Sequence, residues 1–194
     1  MEQNNTTVYL LRHAESQPDS SIPQEEWPLS PRGQQQALDL ARHLSRLDVS
    51  GIYSSPCLRA LDTVRPFATQ ARLEINIHHD LRERMLQDGW APDFRALARR
   101  TWEDFSFAGP GGESNAAAQA RMMHAIHEIA GRHAGATVLV VSHGNGIGLV
   151  LNSIDPAFGW AEAVAMRNPD LFKIEVCDGL LIWDRSVRLE SKGP

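Results

Sequence analysis

Lysine is almost missing from this chain of 194 residues: Lys173 and Lys192 are the only two, and every other cationic side chain of that class is arginine. Lys plus Arg total 19 against 24 Asp plus Glu, a formal net charge of −5. A chain without a basic excess lacks the electrostatic footprint of a general nucleic-acid binder. If it binds an anion, a few placed arginines must supply the attraction. Cysteine is equally scarce. Cys57 and Cys177 lie far apart and form no CxxC pair, so there is no disulfide framework, although a single bridge stays open. The opening MEQNNTTVYLLR has neither the basic start nor the apolar core of a secretory signal. No apolar run approaches the ~20 residues of a membrane span. A soluble cytoplasmic protein is therefore expected.

What is present is globular. Hydrophobic residues make up 42% and charged residues 22%, which argues against disorder, and 14 Gly with 11 Pro is ordinary usage. The length suits one domain over residues 1–194, large enough to fold without a disulfide or metal staple. Strand-like and helix-like segments alternate, with no repeat or linker, which predicts an α/β fold. Strands are expected at 7–11, 52–54, 74–77 and 137–141, and helices at 31–47, 58–70 and 114–133. Ser30 reads as an N-cap, with Pro31 at the first helical position. Continuous apolar runs such as 137–141 suit central parallel strands buried on both faces, so helices should cover both sides as a three-layer sandwich. Asp178-Gly179 between apolar runs at 171–176 and 180–183 predicts a C-terminal antiparallel hairpin. Residues 84–111 are irregular and carry Trp90, Phe94, Trp102, Phe105 and Phe107, an insertion expected to form some helix and to cover a site as a lid.

Two histidines follow the two clearest buried strands: His13, beside Arg12, and His143, between Ser142 and Gly144. Ligands of open parallel sheets bind beyond the carboxyl ends of the strands, so both are placed where a site should be. The planar arginine fork suits a phosphate, and Arg59 falls in the first turn of a helix, near amides that also favour an anion. Other residues invite weaker readings. His124 and His127, at i and i+3, fall opposite the Met122, Ile126 and Ile129 stripe and suit a solvated face better than a metal site. His78-His79 has no acidic or thiol partner at ligand spacing and reads as loop surface. In Gly144-Asn145-Gly146-Ile147-Gly148 the third glycine comes one residue early for a dinucleotide fingerprint.

Six segments in order resemble the phosphoglycerate mutase-like branch (branch 1) of the histidine phosphatase superfamily. Arg12-His13-Ala14-Glu15-Ser16 is similar to its RHG/RHA signature. Leu29-Ser30-Pro31-Arg32-Gly33 with Gln36-Ala37 resembles the L-T-x-x-G-x-x-Q-A stretch, and Tyr53-Ser54-Ser55-Pro56 with Arg59-Ala60 and Thr63 resembles YSSPxxRAxxT. Leu81-Arg82-Glu83 with Gly89-Trp90, Gly111-Gly112-Glu113-Ser114 and Ser142-His143-Gly144 complete the set. The resemblance implies a phosphohistidine mechanism. His13 would be the nucleophile, Arg12, Arg59 and His143 would hold the phosphoryl oxygens, and Glu83 would protonate the leaving oxygen. Glu15 reads rather as a structural hydrogen-bond partner. No metal or cofactor is implied.

Hydrolysis of a phosphate monoester is the leading expectation, with a small-molecule ester as substrate and a phosphoprotein as another candidate. Mutase-type phosphoryl transfer and a non-catalytic phospho-ligand or protein-binding module are the alternatives. Oligomeric state is not legible in the sequence.

Overall fold

The computed structural model describes residues 5–89 and 93–189; Trp90 and Pro92 of the expected lid lie outside the described residues. The first strand, β1 (Thr6–Arg12), leads by way of a 3₁₀ turn at Gln24–Glu26 into α1 (Pro31–Leu44). Then come β2 (Gly51–Ser54), α2 (Leu58–Ala71) and β3 (Ile75–Ile77). A second 3₁₀ turn at His79–Leu81 precedes α3 (Phe94–Glu103) and α4 (Asn115–Arg132). The chain continues through β4 (Thr137–Ser142), α5 (Gly144–Ile154), α6 (Trp160–Ala165), β5 (Asp170–Cys177) and β6 (Leu180–Asp184). The expected strands and long helices are present, with boundaries shifted by a residue or a few.

The strands form one sheet in the order β3-β2-β4-β1-β5-β6. The first four run parallel, and β5 and β6 are antiparallel, so the predicted mostly parallel sheet with a C-terminal hairpin is what forms. Side chains alternate across a strand, and the apolar ones divide accordingly. Val8, Leu10, Val138 and Val140 face a core shared with Met122 and Ile126 of α4 and Ile147 and Val150 of α5. Leu11, Leu139 and Val141 face the other way, onto Leu40 and Leu44 of α1 and Val64 and Phe67 of α2. Helices on both faces explain why β1 and β4 are hydrophobic without alternation.

Local signals hold where they are strongest. The Ser30 hydroxyl accepts from the Gly33 N–H, with Pro31 as first helical residue. Ser114 caps α4 in the same way, accepting from the Ala117 N–H. The Asp178-Gly179 turn has φ of 48° and 79°, left-handed values that this tight hairpin requires.

Residues 84–111 contribute α3, which lies against α5: the Trp102 indole N–H donates to Asn145 Oδ1 at 3.0 Å. The two stems of this segment are tied together. The Glu113 N–H donates to the Met85 carbonyl at 2.7 Å and the Asp88 N–H to that of Pro110 at 2.9 Å. Gly112 is required here, because a Cβ would fall 2.1 Å from the Leu86 carbonyl oxygen. Arg121 of α4 clamps the base. Its Nε and Nη2 each donate to Glu113 at 2.7 Å, and its Nη1 donates to the carbonyls of Asp80 and Arg82.

Candidate active site

Three neighbouring strands of the parallel sheet end at one place. His13 follows β1, His143 follows β4, and Ser55 follows β2 on the far side of β4. Arg12 is paired with Ser142 across β1 and β4, so the histidines that follow stand side by side. Their ring centroids are 5.1 Å apart at 61°. Backbone bonds hold the junction: the His13 N–H donates to the Ser142 carbonyl at 3.1 Å and the Ser55 N–H to that of Val141 at 3.0 Å.

The tautomer of His13 follows from its partners. Its Nδ1 lies 2.7 Å from the Ala14 carbonyl oxygen, which can only accept, so Nδ1 carries the hydrogen. Its Nε2 accepts from Arg59 Nε at 3.3 Å. A lone pair is thus presented at Nε2, beside a guanidinium. The surroundings also keep the ring neutral. Burial lowers the His13 pKa from 6.5 to about 3, and the positive charges of Arg59 and Arg12 act in the same direction. The Ala14 N–H donates to Thr63 Oγ1 at 2.9 Å, and Thr63 Oγ1 donates to the Arg59 carbonyl at 2.6 Å, which links the loop after His13 to α2.

His143 is fully buried and is held well below 6.5, by burial first and then by Arg59, His13, Arg12 and Arg121. Its Nε2 lies 2.7 Å from Ser55 Oγ, and its Nδ1 has no partner among the described residues. Arg12 donates from Nη1 to the Met166 carbonyl at 2.6 Å, while its Nε is buried without a partner among the described residues. Burial lowers the Arg12 pKa, opposed by the charges of Glu83 and Asp170. The guanidinium lies against the first residue of α5, where a Cβ on Gly144 would come 2.9 Å from Arg12 Cζ. Arg59 is buried, donates to the Gln24 carbonyl and lies over the Trp27 ring at 5.8 Å. The site thus brings together the buried Arg59, the half-buried Arg12, two neutral imidazoles and the amino end of α5. These groups favour an anion at their centre.

Arg12, His13, Arg59 and His143 therefore lie together. Glu83 is half-buried at the edge, close enough for its charge to act on Arg12 and Arg84, and its Oε1 accepts the Arg84 N–H at 2.8 Å. Glu15 serves structure: its Oε1 accepts the Ser30 hydroxyl at 2.7 Å, and its carbonyl accepts the Ser30 N–H. His124 is exposed, as expected of a solvated face. His127 bonds the Met123 and Gly179 carbonyls. His78 is less of a loop-surface residue than expected, since it accepts from the Asp80 N–H and lies 3.6 Å from Glu128. Among the described residues no group of three or more His, Cys, Asp or Glu is placed to hold a metal. No described helix is long and apolar enough to cross a membrane.

Sequence reasoning missed several supports. Asn168 donates to the His13 carbonyl at 2.9 Å, and its own carbonyl accepts from Gln36, which also binds the Glu15 N–H. Gln36 and Ser55 stand inside quoted motifs, a signal that pointed to them without giving a role. Asn168 and Met166 carried no local signal at all. Arg84 is buried with its Nε unpartnered, one residue after Glu83.

Comparison with known proteins identifies relatives in sequence and in fold. A phosphoserine phosphatase 1 of Hydrogenobacter thermophilus is 35% identical over 159 residues, covering 70% of each chain. A protein named "Probable phosphoglycerate mutase" of Salmonella choleraesuis is 27% identical over 186 residues, covering 87% of this chain and 84% of its own. A mycobacterial glucosyl-3-phosphoglycerate phosphatase has the same fold, with a TM-score of 0.77 at 23% identity over 93% of this chain and 97% of its own. The profile of the histidine phosphatase superfamily (branch 1) matches residues 8–179, and the chain belongs to that family.

Proposed function

We propose that the chain hydrolyses phosphate monoesters in two steps, through a phosphohistidine on His13 Nε2. The carrying observation is the fixed tautomer of His13: Nδ1 is committed to the Ala14 carbonyl, and the Nε2 lone pair lies beside Arg59. A neutral imidazole is a competent nucleophile, and burial keeps this one neutral. Arg12, Arg59 and the unpartnered Nδ1 of His143 take the equatorial phosphoryl oxygens. In phosphoryl transfer, catalysis is mostly positioning and charge stabilisation. Glu83 is the proposed general acid, which delivers a proton to the departing alkoxide. The resulting carboxylate then takes a proton from the water that attacks the phosphohistidine, which releases phosphate and restores His13.

Phosphatase activity fits the family and its phosphatase-named relatives. The site asks for no metal, and small-molecule esters are the proposed substrates. The free cysteines fit a reducing compartment, here the cytoplasm. Residues 84–111 are proposed as the lid of the single domain, because Arg121 anchors their stems and Trp102 rests on the helix that begins after His143.

The test is a base-quenched reaction with phosphoserine or p-nitrophenyl phosphate, analysed by mass spectrometry. Phosphate should be found on His13 and be absent from His13→Ala. Turnover by His13→Ala at the wild-type rate overturns the proposal. Conversion of one phosphoglycerate isomer into the other, without phosphate release, would indicate mutase chemistry instead.

A further inference from the structure

We infer that Ser55 is a positioning residue that selects the tautomer of His143, so that this ring meets an anion as a neutral Nδ1–H donor. The tautomer assignment stands on geometry alone; the identity of the anion, a phosphoryl group, rests on the function proposed above.

The tautomer of His143 follows from a hydrogen count. A serine hydroxyl has one hydrogen to donate and two lone pairs. Ser55 is fully buried, and its Oγ accepts the Cys57 N–H at 3.2 Å. Among the described residues its other partner is His143 Nε2 at 2.7 Å. The neighbouring Ser54 sends its own hydroxyl to the Ser55 carbonyl at 2.9 Å. If Nε2 carried a hydrogen and donated it, the hydrogen of the fully buried Ser55 would be stranded, a costly loss for a buried polar group. Donation from Ser55 to Nε2 leaves neither atom unsatisfied. A neutral imidazole has one N–H, and the nitrogen that carries it is set by the bond the other makes. The hydrogen of His143 therefore resides on Nδ1.

That nitrogen is the one without a protein partner. As an N–H it donates to a phosphoryl oxygen; as a bare lone pair it would repel one. The two histidines thus take complementary parts through opposite fixings. A carbonyl takes the Nδ1–H of His13 and leaves Nε2 as nucleophile. A hydroxyl occupies Nε2 of His143 and leaves Nδ1 as donor.

The test is ¹⁵N NMR of labelled imidazoles in the wild-type chain and in Ser55→Ala, near neutral pH. The His143 signals are assigned by their absence from His143→Gln. Inorganic phosphate is titrated into each, and kcat and KM are measured with p-nitrophenyl phosphate. In the wild type, Nδ1 of His143 should carry the hydrogen and Nε2 should not. In Ser55→Ala the Nε2–H form should appear and phosphate affinity should fall by about tenfold, the scale of losing an outer partner that orients a site histidine. A hydrogen on Nε2 in the wild type overturns the inference. So does an unchanged tautomer in Ser55→Ala, even with weaker binding, because Ser55 would then be structural only. A wild-type chain with the Nδ1–H form and no phosphorylation of His13 would leave the tautomer assignment intact and overturn the proposed function instead.

Discussion

Acid should unfold this protein partly through His13, by an amount the structure sets. In the unfolded chain the His13 imidazole titrates near 6.5; in the folded site it does so at about 3. Between those values the unfolded state holds the proton and the folded state does not, so stability falls as pH falls. One unit of pKa difference is worth about 1.4 kcal/mol, so the full effect would near 5 kcal/mol, of which about 2 kcal/mol is lost by about pH 5 and almost none above about pH 7.5. His143, also buried neutral, acts in the same direction. Urea unfolding of the wild type and of His13→Gln, at about pH 7.5 and about pH 5, isolates the His13 contribution. With a slope of roughly 2 kcal/mol per molar urea, the wild-type midpoint should fall by about 1 M more than that of the variant. Phosphate buffers must be avoided, since a ligand of the folded site would mask the change. Equal losses in the two proteins would show that the pocket does not hold His13 neutral.

Glu83→Gln should slow phosphorylation of His13 by an alkyl phosphate by about 10²–10⁴-fold and by p-nitrophenyl phosphate far less, in single-turnover kinetics; equal losses would make Glu83 a positioning group. Gly144→Ala places a methyl 2.9 Å from Arg12 Cζ, so KM should rise by about tenfold or more while circular dichroism stays that of the wild type. Arg121→Leu leaves Glu113 without its bidentate partner and should cost about 3 kcal/mol in urea unfolding, with kcat falling as the Glu83 loop loosens. Dialysis against EDTA should leave activity unchanged; a loss restored by zinc or magnesium would refute the metal-free reading.

The sequence was legible where local chemistry and global fold agree. Ser30 and Pro31 announce α1, and the continuous apolar runs of β1 and β4 announce strands buried on both faces, with a histidine at the end of each. Helix α5 was not anticipated, because Gly144, Gly146 and Gly148 oppose helix formation on propensity. Tertiary packing overrides that cost: a Cβ at Gly146 would come 3.2 Å from Met122 Sδ, and one at Gly148 would come 3.4 Å from Met166, Phe158 and Trp102. The supports of the site were invisible for another reason. Asn168 reaches His13 and Arg121 reaches Asp80 across long stretches of chain, and such contacts have no period or spacing to betray them.

The position of β1 has a consequence for synthesis. Its two ladder partners are β4 and β5, at residues 137–142 and 170–177, on either side of it. A chain emerging from the ribosome makes this central strand first and its neighbours last. Until then the apolar run Val8, Tyr9, Leu10, Leu11 has no native edge to join, although β2 and β3 can already pair. Such long-range closure slows folding and leaves an aggregation-prone strand waiting. The histidine pair inherits the same schedule. It comes into being when the β1–β4 register closes, so a fragment that stops short of β4 lacks His143 and cannot form the pair.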